Sequence, residues 1–163
     1  SESWSPFSSK NMSQIFCAVL LIAFGSYASA DSVKFIDCGS TSGKIESIDV
    51  NPCPGAPAGC LLKKGTSPIV TIKFTNNDEV SSLKAKVYGI LGGAKVPFPL
   101  PNPDACTTSG LSCPLAAQSK DTYVQKLEVK TIYPSVRVIV EWHLVDQTGK
   151  DVVCFRIQAK VSS

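Results

Sequence analysis

From residue 33 onward, apolar and polar residues alternate with a period of two, the pattern of strands half-buried in a sheet. In "IVTIKFTNND", 69–78, Val70, Ile72 and Phe74 share one face, and Thr71, Lys73 and Thr75 share the other. A turn follows at Asn76 to Asp78. "SLKAKVYG", 82–89, sets Leu83, Ala85 and Val87 against Lys84, Lys86 and Tyr88. "DTYVQKLEV", 121–129, sets Tyr123, Gln125, Leu127 and Val129 against Val124, Lys126 and Glu128. The strongest case is "SVRVIVEWHL", 135–144, with Val136, Val138, Val140, Trp142 and Leu144 opposite Arg137, Ile139, Glu141 and His143. "DQTGK", 146–150, reads as a hairpin turn, after which Val153, Phe155, Ile157, Ala159 and Val161 lead the chain back. "VKFID", 33–37, and "SIDV", 47–50, add two shorter strands, and Ile45 falls out of parity, which predicts a bulge or an earlier bend. No helical period persists for ten residues in this stretch. About seven strands with turns at short intervals predict an all-β fold, an antiparallel sandwich of two sheets in a single domain.

One segment departs from simple alternation. "KVPFPLPNPDAC", 95–106, has proline at every second position, 97, 99, 101 and 103. Proline excludes a helix and is confined to sheet edges. In an extended chain all four prolines face one edge, so the segment cannot recruit a further strand. Phe98 and Leu100 share one side and are held in a fixed direction. The even spacing is not the PxxP of proline-rich ligands.

Ahead of the alternating region, "IFCAVLLIAF", 15–24, is an apolar run too short to span a bilayer, and "ASA", 28–30, is of the cleavage-site type. Met12 is the only methionine. The expectation is an upstream extension at 1–11, a signal peptide at 12–30 and a mature domain at 31–163. Removing Lys10 and Glu2 from the 16 basic and 13 acidic residues leaves the net charge at +3. No basic run exceeds Lys63–Lys64, which argues against nucleic acid. Weak attraction to an anionic membrane surface remains open.

Six of the seven cysteines lie in the expected mature chain. An even number in a short exported chain implies disulfides. Proximity pairs Cys53 with Cys60 around "CPGAPAGC" and Cys106 with Cys113 around "CTTSGLSC". Cys38 and Cys154 then tie the first strand to the last, a long loop whose closure stabilises by about 4–5 kcal/mol in the chain-entropy account. There is no CxxC, and the single His143 has no partner at ligand spacing, so no metal is expected. His143 is expected to be exposed on the wet face of its strand. With all mature cysteines paired and no glycine-rich phosphate loop leading into a helix, no catalytic residue and no cofactor are expected.

Five stretches together, "DCGS" at 37–40, "VNPCP" at 50–54, "VPFPLPNPDAC" at 96–106, "YPS" at 133–135 and "VEWHL" at 140–144, resemble the ML-domain lipid-binding family, which includes the group 2 mite allergens. The resemblance covers 33–161, and the family's cysteine pairing agrees with the one above. It implies an immunoglobulin-like sandwich, monomeric, with a sterol pocket between the sheets. Phe98 matches an aromatic residue near the pocket mouth, and Val129 and Tyr133 match two further lining positions. Trp142 and Val50 line the interior on the same reading, and Val70 and Leu100 join the ligand-binding set. "YGILGGAK", 88–95, matches an exposed apolar loop that touches membranes, with Ile90 and Leu91 at its tip. The implied role is a secreted or lysosomal carrier. It takes a sterol or other lipid to membranes or to a Niemann-Pick type C1-like membrane protein.

Two departures qualify this. Thr71-Ile72-Lys73 stands where the family is usually glycosylated, and no Asn-x-Ser/Thr occurs after residue 30, which weighs toward secretion over lysosomal sorting. Gly92 and Lys95 replace larger apolar residues and proline in the membrane loop. The alternative function is a secreted recognition or allergen-like immune module with a fatty acid or glycolipid ligand.

Overall fold

The computed structural model describes residues 31–163; the extension expected at 1–11 and the signal peptide expected at 12–30 lie outside the described residues. Ten strands and one helical turn follow in order: β1 (Asp31–Ser32), β2 (Ile36–Asp37), β3 (Gly43–Asn51), β4 (Cys60–Lys63), β5 (Ile69–Asn76), β6 (Leu83–Leu91), β7 (Ala94–Phe98), α1 (Ala105–Thr108), β8 (Lys120–Lys126), β9 (Arg137–Asp146) and β10 (Asp151–Ser162). They form two sheets. The first has the order β1-β3-β5-β8, and the second β2-β10-β9-β6-β7, with β4 also paired to β10. The arrangement is an immunoglobulin-like β-sandwich.

The alternation sets the layers. Ile48, Val50, Val70, Ile72, Phe74 and Tyr123 face inward from the first sheet, and Leu83, Val87, Trp142, Leu144, Phe155 and Ile157 face them from the second. Trp142 lies at the centre, 6.0 Å from the Tyr123 ring and stacked at 6.4 Å on Phe155. The parity break at Ile45 is a bulge in the β3–β5 pairing, between Ile45 and Ser47. Disulfides join Cys38–Cys154, Cys53–Cys60 and Cys106–Cys113.

The strand count exceeds seven for two reasons. β1, β2 and β4 have two to four residues, too few to show a period, and β2 and β4 share one edge of β10. β4 runs parallel to β10, an exception to the antiparallel expectation. The "VKFID" stretch is split, because only Ile36 and Asp37 within it reach β10. The proline segment supplies the other strand. Ala94 and the segment's first four residues form β7, the edge of the second sheet, and Gly92 and Gly93, both at positive φ, form the two-residue turn that folds it back onto β6. Leu127 and Val129, read as the end of a strand, lie beyond β8 in a loop and are buried there.

The outer face of the second sheet holds a residue that alternation places in water. Glu141 is 2% exposed. Its carboxylate accepts from Lys95 on β7 at 2.5 Å and from Arg156 on β10 at 2.7 Å, and it lies 2.7 Å from His143 Nε2. His143 Nδ1 is 3.0 Å from Asp151, so this histidine is half-buried in a charged cluster rather than exposed. Burial pushes the Glu141 carboxyl up, but its bonds to Lys95, His143 and Arg156 outweigh that and hold it at about 2, against an ordinary 4.5. A depressed carboxyl stabilises the fold above the unfolded value, and the effect is lost as pH falls toward the folded one. Glu141→Gln is therefore expected to destabilise the domain by about 1.5–3 kcal/mol at pH 7. Urea titrations from pH 7 to pH 2 should show the difference from the parent shrinking between pH 4.5 and pH 2. A gap that persists at pH 2 would assign the effect to shape rather than charge.

Candidate functional site

A cavity of about 380 Å³ opens at one end of the sandwich. That is within the roughly 300–1,000 Å³ of ligand pockets. One wall is the β6–β7 hairpin, with Val87, Leu91, Val96 and Phe98. A second is the β9–β10 pair, with Val138, Val140 and Val161, joined by Leu62 of β4. The third is loop 127–136, through Leu127, Val129, Tyr133, Pro134 and Val136. No strand of the first sheet contributes. β8 ends at Lys126, and the loop that follows takes the place a strand would hold. The cavity therefore lies between the second sheet and this loop.

The inward side of β6 forms part of the wall. Its inward positions run Leu83, Ala85, Val87, Gly89 and Leu91. Gly89 offers no side chain, and a Cβ there would come within 3.2 Å of Val138. An aromatic contact joins this wall to the loop, with the Phe98 and Tyr133 rings 5.5 Å apart and tilted by 56°. Pro97 and Pro99 flank Phe98 and restrict its backbone. At the mouth, Ile132 is 83% exposed and Val96 47%. Among the lining residues only Lys130 carries a charge. Such a cavity excludes the polar partners that hold water and accepts an apolar body. Its chemistry is binding: apolar surface moved out of water gains about 0.8 kcal/mol per CH₂.

The expected ligand residues divide. Phe98, Val129 and Tyr133 are on the cavity wall. Trp142, Val50 and Val70 are not; Trp142 is sealed between Tyr123 and Phe155, and Val50 and Val70 pair across β3 and β5, fully buried. Leu100 is half-buried against the core, outside the lining. Of the loop-tip pair, Leu91 lines the cavity, whereas Ile90 is on the outer face beside Lys95 and Ile139. Sequence reasoning missed Val87, Gly89, Val138, Val140 and Val161 as lining positions. Alternation marks them as inward, and Gly89 breaking an inward apolar row was the available signal. Elsewhere, the nearest approach to a metal-ligand set among the described residues is His143, Asp151 and Cys154, and the Cys154 sulfur is already bonded to Cys38.

Comparison with known proteins agrees with this geometry. The ML domain pattern matches residues 32–161. This chain belongs to the ML-domain family. It is 43% identical to the NPC intracellular cholesterol transporter 2 of Danio rerio over 143 residues, 88% of this chain and 94% of the relative. It is also 43% identical to the Bos taurus protein of the same name over 146 residues, 90% of this chain and 96% of the relative. Among solved structures, a Niemann-Pick type C2 protein from the Japanese carpenter ant superposes with a TM-score of 0.75 at 29% identity, covering 79% of this chain and 99% of that one.

In this ML domain, wall and core residues are expected to respond differently to truncation. Removing a fully buried aliphatic side chain typically costs about 2–5 kcal/mol, less for Val than for Leu. Phe98, half-buried and facing open space, loses fewer protein contacts. Phe98→Ala should weaken binding of a fluorescent sterol at least tenfold, about 1.4 kcal/mol, while lowering Tm less than Val70→Ala does. Thermal melts of the lipid-free proteins and sterol titrations check this. Parent-like binding by Phe98→Ala with the larger Tm loss would make Phe98 a core residue.

Proposed function

We propose that this chain is a carrier that takes up a sterol or related lipid in the cavity behind Phe98 and releases it to membranes. The observation that carries the reading is the cavity itself: about 380 Å³, open at one end, with a single charged lining residue, Lys130. An interior gap of this size leaves its apolar lining without contact partners, and a lipid body supplies them. The relatives named as cholesterol transporters support the sterol class. Three disulfides suit an oxidising compartment, so we place the carrier outside the cell or in the lysosomal lumen. The exposed apolar rim of Ile132 and Val96 is the side that meets a membrane or a Niemann-Pick type C1-like acceptor. The protein acts as a monomer, and anionic membrane surfaces favour its approach through its net charge of +3.

Native mass spectrometry of protein purified from its own secretion tests this. The expected spectrum shows a one-to-one complex with a sterol-sized lipid, displaced by added cholesterol. A co-purifying fatty acid or glycolipid that cholesterol fails to displace would replace the sterol assignment. A bare protein that takes up no lipid would overturn the carrier reading.

A further inference from the structure

β7 is the least secured wall of the cavity. It is an edge strand paired only with β6, and Pro97 and Pro99 have no N–H to offer any neighbour. Yet it carries Val96 and Phe98, one at the mouth and one on the wall. Its side chains on the other face of the sheet are Lys95 and Pro97, opposite Ile90 and Tyr88 of β6. The Lys95 side chain, 46% exposed, folds back along the sheet. Its ammonium lies over the Tyr88 ring, 4.1 Å from the centroid, and reaches Glu141 on β9, the residue paired with Tyr88. The contact thus crosses one whole strand. At its far end Glu141 is fixed from the other direction by Arg156 of β10 and His143 of β9, and His143 meets Tyr88 edge-on at 5.7 Å and is in turn bonded to Asp151. β7 is therefore tied, behind the cavity, to a carboxylate anchored on two central strands.

We propose that Lys95 is a positioning residue: its bond to Glu141 across Tyr88 clamps the edge strand β7 to the sheet and so limits how fast lipid passes the Phe98 wall. This rests on the carrier reading above. An ion pair between two exposed groups would do little, but here the acceptor is buried and the donor also meets an aromatic face, which strengthens the contact. Movement of an edge strand away from β6 needs this contact broken along with the ladder between the two strands. The contact persists in mild acid, because the bonds from Lys95, His143 and Arg156 hold the Glu141 carboxyl well below its ordinary value.

Lys95→Met keeps the side-chain bulk, removes the charge, and leaves Glu141 bonded to Arg156 and His143, so the domain is expected to fold with Tm near the parent's. Two measurements follow. Hydrogen exchange at the Val96 and Phe98 amides should quicken about threefold to tenfold in Lys95→Met, with β5 amides unchanged, and Lys95→Arg should restore it. Release of a preloaded fluorescent sterol to acceptor vesicles should quicken by a similar factor, again restored by Arg. Unchanged exchange at Val96 and Phe98 would overturn the clamp. Faster exchange with parent-like sterol release would overturn its role in lipid passage. A parent protein that takes up no sterol would overturn the carrier reading and that role together, and the amide measurement would still decide the clamp. Quickening throughout the domain would reduce Lys95 to a general stabiliser and contradict the proposal.

Discussion

Inward-facing apolar side chains that no strand opposes are the constraint on which the rest of this molecule depends. Val87, Val138, Val140 and Val161 project from the second sheet at one end, where the first sheet contributes no residue to the space before them. A sandwich core normally closes by interdigitation of two such faces. Here the missing face is supplied by loop 127–136, and a cavity remains between it and the second sheet. The remainder of the core is conventional and dense, with Trp142 sealed between Tyr123 and Phe155. One end of the domain therefore provides stability, and the other provides vacant apolar surface.

Holding such a gap open requires a frame that does not collapse into it. The Cys38–Cys154 bridge ties the segment after β2 to β10 across 116 residues, and β2 and β4 both border β10, so the strand that carries Val161 is fixed along its length. The prolines around Phe98 remove backbone freedom from the opposite wall. Behind that wall, the buried Glu141 draws cations from two other strands, so the outer face of the sheet is cross-braced rather than merely solvated. Preorganised walls lower the ordering cost of binding, which lets an apolar ligand bind through surface burial with few polar contacts.

The sheets were largely legible in the sequence, because alternation in 69–78, 82–89 and 135–144 is a direct image of one buried and one wet face. The bulge at Ile45 and the turn at 146–150 were legible for the same reason. β1, β2 and β4 were not, since two to four residues cannot display a period. Phe98, Val129 and Tyr133 were reached through motif resemblance, and all three are on the cavity wall. Trp142, Val50 and Val70 were grouped with them on the same resemblance; alternation reports that their side chains point inward, not whether another side chain meets them there. The burial of Glu141 was hidden for a related reason. It depends on Lys95 and Arg156, distant in sequence and brought near only by strand order.

The central claim is that the valine-lined end, and not the aromatic centre, receives the lipid. Methyl-resolved NMR of the domain titrated with cholesterol tests this most directly. The account predicts large shifts for methyls of Val87, Val129, Val138, Val140 and Val161, with Val50, Val70 and Ile72 close to their lipid-free positions. Shifts centred on Val50, Val70 and Ile72, or no shifts at all at saturating sterol, would contradict it.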